Sequence, residues 1–426
     1  MDCRVKPGND DEESTPMTAG ITPSDAKGVE QAVQWALAEG KTLEIEGGGS
    51  KRAIGRPTQV DLTLDLSALN GVTLYEPEEL VLSARAGTPL AEIEALVASK
   101  NQQLAFEPMH CGRILGIPDG QATIGGALAS NLSGPRRIKA GAARDHFLGF
   151  SAISGRGETF KSGGRVVKNV TGYDLCKLMA GSWGTLAVMT DVTLKTLPKP
   201  ETEATVLICG LQPDAAVKAM TSAMDSGCDP SGAAHLPEDI ARGIAATEVS
   251  RAAAPVTALR LEGFAPSVAH RRSALEQLLS PLGEVIVLNA ESSNTLWQAV
   301  RDATSFAAEP NAPERPLWRI STAPTQGAAL AARISAGAPA RILFDWAGGL
   351  IWAALPASED GGAALVSNAV AAVGGHATLV RAPVAVRAKI NVFWRGDAAL
   401  AALTKRVKES FDPKGVLNPG RMWAGV

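Results

Sequence analysis

Cysteine and histidine pairs at metal-ligand spacing are missing from this chain. The five cysteines, Cys3, Cys111, Cys176, Cys209 and Cys228, are odd in number and include no C-x-x-C pair. That pattern disfavours a disulfide framework and a conventional iron–sulfur or zinc site, and it fits a reducing compartment. The five histidines, His110, His146, His235, His270 and His376, offer no H-x-H or H-x-x-x-H pair, so no metal is expected. No apolar run approaches a membrane span, and the N-terminus carries no signal-peptide h-region. A soluble, cytoplasmic protein without direct membrane insertion is predicted, with peripheral attachment to the inner membrane through partners left open. A net charge of −3 argues against nucleic acid as a partner. The basic runs Arg136-Arg137-Ile138-Lys139 and His270-Arg271-Arg272 are short, lack interleaved aromatics and read as solvated faces. Neither G-x-G-x-x-G after the first strand nor G-x-x-x-x-G-K-[ST] is present, which disfavours a nicotinamide Rossmann domain and a P-loop.

What is present is a globular composition over 426 residues, 45% hydrophobic and 20% charged, enough for two or three domains. Residues 1–16 hold the acidic run Asp10-Asp11-Glu12-Glu13 and read as a disordered tail, with Met17 a candidate translation start. A helix is expected over about Pro23 to Glu39, capped by Ser24, followed by a strand near residues 41–46. Strands at 59–64 and 79–84 and a helix from Thr88-Pro89 to about Lys100 complete a first α/β lobe, residues 17–101. A second lobe, 102–200, contains a helix opened by Gly125-Gly126, strands around 147–153 and 186–194, and a helix through 175–180. Pro198 and Pro200 mark a boundary. Residues 201–395 alternate strands and helices, ending in a β-α-β-β-α-β order, the split unit of ferredoxin-like sheets. They predict an antiparallel sheet with helices on one face. Residues 396–426 form an amphipathic helix and a polar tail.

Two glycine turns carry the chemistry. Gly47-Gly48-Gly49-Ser50-Lys51 follows the second predicted element. Consecutive glycines let main-chain N–H groups crowd one side of such a turn, a nest that suits a pyrophosphate. Thr123-Ile124-Gly125-Gly126 opens a helix, another favourable place for phosphate. The run Gly164-Arg165-Val166-Val167-Lys168-Asn169-Val170-Thr171-Gly172-Tyr173-Asp174-Leu175 leads to Gly181-Ser182-Trp183-Gly184-Thr185-Leu186. This set resembles the vanillyl-alcohol-oxidase (PCMH-type) FAD-binding flavoproteins over residues 20–200, with the tail Phe411–Arg421. The resemblance implies an α+β protein: a two-lobed PCMH-type FAD-binding domain at 17–200 and a ferredoxin-like antiparallel α+β cap domain. It implies that the two glycine turns grip the pyrophosphate, and that the third segment lies along flavin and adenosine. The FAD contacts it implies are Gly47 to Lys51, Pro108, His110, Thr123 to Gly126, Ser130, Asn131, Lys168, Asn169, Gly172, Tyr173, Asp174, Gly184, Thr185 and Leu186.

Phe106–Gly112, Leu132–Arg137, Arg144–Gly149, Leu317-Trp318-Arg319 and Gly375–Arg381 narrow the resemblance to the FAD-binding E subunits of bacterial glycolate oxidases. That implies oxidation of glycolate to glyoxylate beside a second FAD-containing subunit and an iron–sulfur subunit. Many relatives bear a flavin-linked histidine in the first loop; here Ser50-Lys51-Arg52 follows the glycines, so non-covalent FAD is expected. Trp183 stands where the common pattern has glutamate, and it either covers a cofactor ring or packs in the core. His110 either touches the cofactor or caps a loop. His376, Arg381 and Arg319 are the candidates for contacting an anionic substrate. Two function classes stay open: a catalytic 2-hydroxyacid dehydrogenase of the D-lactate type, or an electron-transferring FAD subunit. The lack of a histidine cluster favours the second.

Overall fold

The computed structural model describes residues 20–165, 172–309 and 314–426. The N-terminal tail, Met17, Lys168 and Asn169 lie outside the described residues.

The first sheet is small, parallel and three-stranded: Leu62–Asp65 runs between Gly20–Ile21 and Leu43–Glu46. The helix Ala26–Glu39 packs Val29, Val33 and Ala36 onto Leu43 and Leu64. Its cap is Asp25, not the predicted Ser24: Asp25 Oδ1 accepts the Gly28 N–H at 2.7 Å. The C-terminal tail completes this lobe. Leu43 N–H donates to the Val416 carbonyl (2.8 Å), and Asn418 N–H donates to the Leu43 carbonyl (2.9 Å). The tail is tied down by Lys408, whose buried ammonium donates to Asp412 and to the carbonyls of Thr185 and Leu417.

The second sheet is antiparallel and five-stranded, in the order Val72–Glu76, Val81–Arg85, Ala187–Lys195, Phe147–Ser154, Thr159–Gly163. The Val81–Arg85 strand, expected inside the first lobe, instead pairs with Ala187–Lys195. Alternating side chains identify a strand but carry no information about its sheet.

The third sheet has eight antiparallel strands and contains two copies of the split unit. The first runs Val285–Leu288, Thr202–Cys209, Val256–Gly263, Gly232–Leu236, a fourth-first-third-second order. The second, Arg341–Asp345, Leu350–Ala354, Leu317–Ser321, His376–Arg381, mirrors it, and the two join where His235 pairs with Phe344. Helices do not keep to one face. Val206 and Ile208 pack with the helices Pro213–Asp225 and Ala265–Leu279. The helix Ala290–Arg301 covers the opposite face, where Trp297 Nε1–H donates to Thr205 Oγ1 at 2.8 Å.

A buried ion network fastens the cap sheet to the second lobe. Arg260 clamps Glu107 through two bonds of 2.8 and 3.1 Å, and Arg136 clamps Glu262 through two of 2.9 and 2.8 Å. Arg136 also lies 3.1 Å from Glu107. The run at 136–139, expected to be a solvated face, is thus partly an interdomain lock, because its carboxylate partners come from distant segments. Such charges hold only as a set, since removing one strands the others in low dielectric.

Candidate cofactor site

The strand Leu43–Glu46 delivers the triglycine loop into a cleft shared with Thr123, Gly125, Gly126, Ser130 and Gly184. Glycine is required here by close approach. A Cβ on Gly48 would sit 2.0 Å from the Gln121 carbonyl oxygen, and one on Gly47 would sit 2.5 Å from Thr123 Oγ1. Gly49 has φ +72°, in the left-handed region. The two glycine turns therefore press directly on each other.

The main-chain N–H groups of Gly48, Gly49, Ser50 and Lys51 donate to no other described residue. The second turn differs from expectation. Ile124 N–H is taken by the Thr88 carbonyl (3.0 Å), Gly125 N–H by Ala86 (2.8 Å), and Gly126 N–H by the capping Thr123 Oγ1 (3.3 Å). The free donors for a phosphate belong to the first loop, and the second supplies the surface it leans on.

Polar side chains close the cleft. Arg52 makes a two-pronged bond to Glu44 (3.1 and 2.5 Å). Arg421, from the tail, donates to the carbonyls of Lys51 (2.9 Å) and Ile54 (3.2 Å) and stacks 5.8 Å from the Trp183 ring. Among the described residues, two buried atoms in this wall have no hydrogen-bond partner: Arg421 Nε, and Glu46 Oε2, which has only Arg52 Nε at 3.7 Å. Burial pushes the Glu46 carboxyl above its ordinary range, against the pull of Arg52. Polar atoms left open in a cleft suit a polar ligand. A dinucleotide fits: phosphate for the unsatisfied loop donors, hydroxyl or ring N–H groups for Glu46, and an apolar wall of Ile45, Leu66, Ala129 and Met189 for a ring.

Trp183 packs in the core and also borders the cleft. Its ring lies 5.2 Å from that of Phe393, in the chain that follows the cap sheet. Its φ of 55° is unusual for a bulky residue and is held by the Ala129 carbonyl on its N–H and Asn418 Nδ2 on its carbonyl.

Several expected contacts lie elsewhere. Ile124 and Leu186 are buried in the core behind the cleft. Asn131 ends the helix Ile124–Ser130 at φ 52° and accepts the Arg144 N–H. Thr185 bonds Ser182 and Lys408. Gly172 and the exposed Tyr173 border the undescribed segment, and Asp174 caps the helix Leu175–Met179. Pro108 lines a different cavity beside the ion network. His110 lies 3.5 Å from Glu94 and donates its main-chain N–H to Asp302 at 2.9 Å, outside the cleft. Glu44, Glu46 and Arg52 were not expected. Their alternation with Ile45 reads as a solvent face of a strand, and only the loop's proximity to the tail buries them.

On the cap sheet, Arg381 donates through Nε and Nη1 to the carbonyls of Arg315 (3.2 Å), Ile114 (2.6 Å) and Phe306 (2.7 Å), which ties it to the surrounding chain. Arg319 points onto Trp346 and Trp352, at 4.9 and 5.9 Å. His376 is exposed on the next row of the sheet, opposite Ser321. Among the described residues, no group of three His, Cys, Asp or Glu side chains is placed to hold a metal. Among the described residues, no helix is long and apolar enough to cross a membrane.

Residues 17–163 match the family described as FAD binding domain, and residues 392–422 match the C-terminal domain of FAD linked oxidases. The chain is 34% identical over 406 residues to glycolate oxidase subunit GlcE of Escherichia coli K12, covering 92% of this chain and 96% of that one. It is 32% identical over 165 residues to glycolate oxidase subunit GlcD of Bacillus subtilis, covering 39% of this chain and 33% of the other. Among solved structures, p-cresol methylhydroxylase with substrate bound aligns with TM-score 0.71 at 13% identity, covering 95% of this chain and 88% of that one. That last likeness speaks for the fold alone. With FAD as the cofactor its cleft fits, the chain belongs to the FAD-linked oxidase family, in the branch of glycolate oxidase GlcE subunits.

Proposed function

We propose that this chain is the FAD-binding subunit of a multi-subunit glycolate oxidase that oxidises glycolate to glyoxylate. The observation that carries the reading is the end-to-end match to a GlcE subunit together with a cleft whose unsatisfied donors suit FAD. When bound, FAD supplies the acceptor for the hydride leaving the hydroxyl-bearing carbon. The residues proposed to hold it are the loop Gly47 to Lys51 against the pyrophosphate, with Thr123, Gly125, Gly126 and Ser130 beside it. Glu46, Trp183 and Arg421 complete the wall.

Electrons then have to leave. The cysteines Cys111, Cys176, Cys209 and Cys228 are unpaired and scattered, and Cys111, Cys176 and Cys228 are buried. An iron–sulfur partner is the proposed acceptor, with a second FAD-containing subunit beside it. The assembly works in the cytoplasm or at the inner membrane surface through its partners. Co-expression with those two subunits and an assay of glycolate-dependent dye reduction test the reading. Full turnover by the lone chain would support instead a stand-alone 2-hydroxyacid dehydrogenase, which Arg319 of the cap sheet, with no ion-pair partner among the described residues, favours.

A further inference from the structure

We propose that Arg137, Arg319 and Trp346 form a carboxylate site of this chain's own, built across the junction of the second lobe and the cap, for a small 2-hydroxy or 2-oxo acid. Arg137 comes from the short helix Arg137–Ala140, and Arg319 from the cap strand Leu317–Ser321. Both guanidinium groups lie over the Trp346 ring, at 4.2 and 4.9 Å. Trp346 is fixed as their platform. Its Nε1–H donates to the Gly134 carbonyl at 3.0 Å, and its main-chain N–H donates to Asp345 Oδ1 at 2.7 Å. Its φ of 52° and the 57° of Ala347 place two successive non-glycine residues in the left-handed region. Backbone strain of that kind persists where the surroundings over-determine it, and it clusters at ligand sites.

The other arginines of this junction have partners. Arg136 and Arg260 hold Glu107 and Glu262, Arg301 holds Asp302, and Arg381 holds three carbonyls. The side chains of Arg137 and Arg319 donate to no described residue and meet no carboxylate within ion-pair distance. Asp345 does not fill that role: its oxygen is engaged by Trp346, and burial pushes its carboxyl up to about 7. Burial, then repulsion from Arg137, pulls Arg319 down to about 10, a penalty that an anion between the two would relieve. Two half-buried guanidinium groups with open donors beside one aromatic ring offer the charge and the forked donors that a carboxylate takes.

Sheet register supplies the rest of the pocket. Arg319, Thr378 and Trp352 form one row across three strands, and His376 stands on the same face one row along. His376 is exposed and opens this row to solvent, while Arg319 and Arg137 lie half-buried deeper in.

The choice of acid rests on the proposed function; the existence of the site does not. Oxalate, a redox-inert two-carbon acid, is the probe, titrated calorimetrically into the FAD-loaded chain. Saturable binding is expected, weakened about tenfold or more by Arg137→Gln and by Arg319→Gln, with FAD content retained. Exposed Arg251→Gln serves as control and binds like the parent. If either glutamine variant misfolds, the lysine variant takes its place: it keeps the charge, loses the fork and should still weaken binding. Absence of saturable oxalate binding, equal binding by the variants, or equally tight binding of inorganic phosphate overturns the carboxylate site. Oxalate binding without glycolate oxidation by the full assembly would sink the functional reading and leave the site standing.

Discussion

Substituting Gly48 by alanine tests the cleft through a single methyl group. The added carbon would lie 2.0 Å from the Gln121 carbonyl oxygen, a main-chain atom that cannot rotate away. Gly48 does not have positive φ, so the cost is overpacking between two loops rather than backbone strain. Restoring contact distance means parting the loops by roughly 1 Å, and they part at the surface, where the pyrophosphate is proposed to lie. Overpacking of this kind costs about 1–3 kcal/mol. Expressed in cofactor binding, that is a loss of roughly five- to 150-fold in FAD affinity. Fluorescence quenching of FAD titrated into apoprotein reads it directly. Gly227→Ala, with nothing within 4 Å of its new carbon, is the control and should be unchanged. Affinity for the Gly48 variant within about twofold of the parent would refute the claim that these loops meet to hold the cofactor.

Other consequences are equally accessible. Lys408→Met leaves Asp412 buried without its cation and should cost about 3–5 kcal/mol in chemical denaturation, releasing the C-terminal tail from the first lobe. Glu262 sits at about 2 in the folded protein against an ordinary 4.5: burial would raise it, but Arg260 and Arg136 prevail. A carboxyl depressed in this way contributes stability that is full above about pH 4.5 and disappears as pH falls toward 2. Glu262→Gln should therefore lower stability at neutral pH and flatten its acid dependence between those values. Acid precipitation should release all the flavin into the supernatant, since the first loop has no histidine for attachment; yellow colour in the pellet would contradict non-covalent FAD.

Much of the site was legible because its demands are local. Three glycines after a short strand, and a threonine-capped glycine turn, announce loops that tolerate no side chains. The structure supplies the reason in the Gln121 and Thr123 contacts. The split β-α-β-β-α-β order of the last third was legible in the same way, from alternation and helix periodicity. What escaped depends on partners far along the chain. The strand Gly232–Leu236, rich in alanine and glycine, has no β-branched signal and is made by its neighbours Val256–Gly263 and Arg341–Asp345. Arg136 looks like one member of a basic surface run until Glu262, 126 residues later, is set against it. Arg381 looks like an anion ligand until three carbonyls claim it.

The central claim is that this chain carries FAD for an assembly rather than turning over alone. Glycolate-dependent dye reduction by the purified FAD-loaded chain, measured beside the same chain co-purified with a second flavin subunit and an iron–sulfur subunit, tests it most directly. The account predicts bound FAD but little turnover for the lone chain, and glyoxylate-forming turnover for the assembly. Efficient oxidation by the chain alone, unchanged when the other subunits are added, would contradict it.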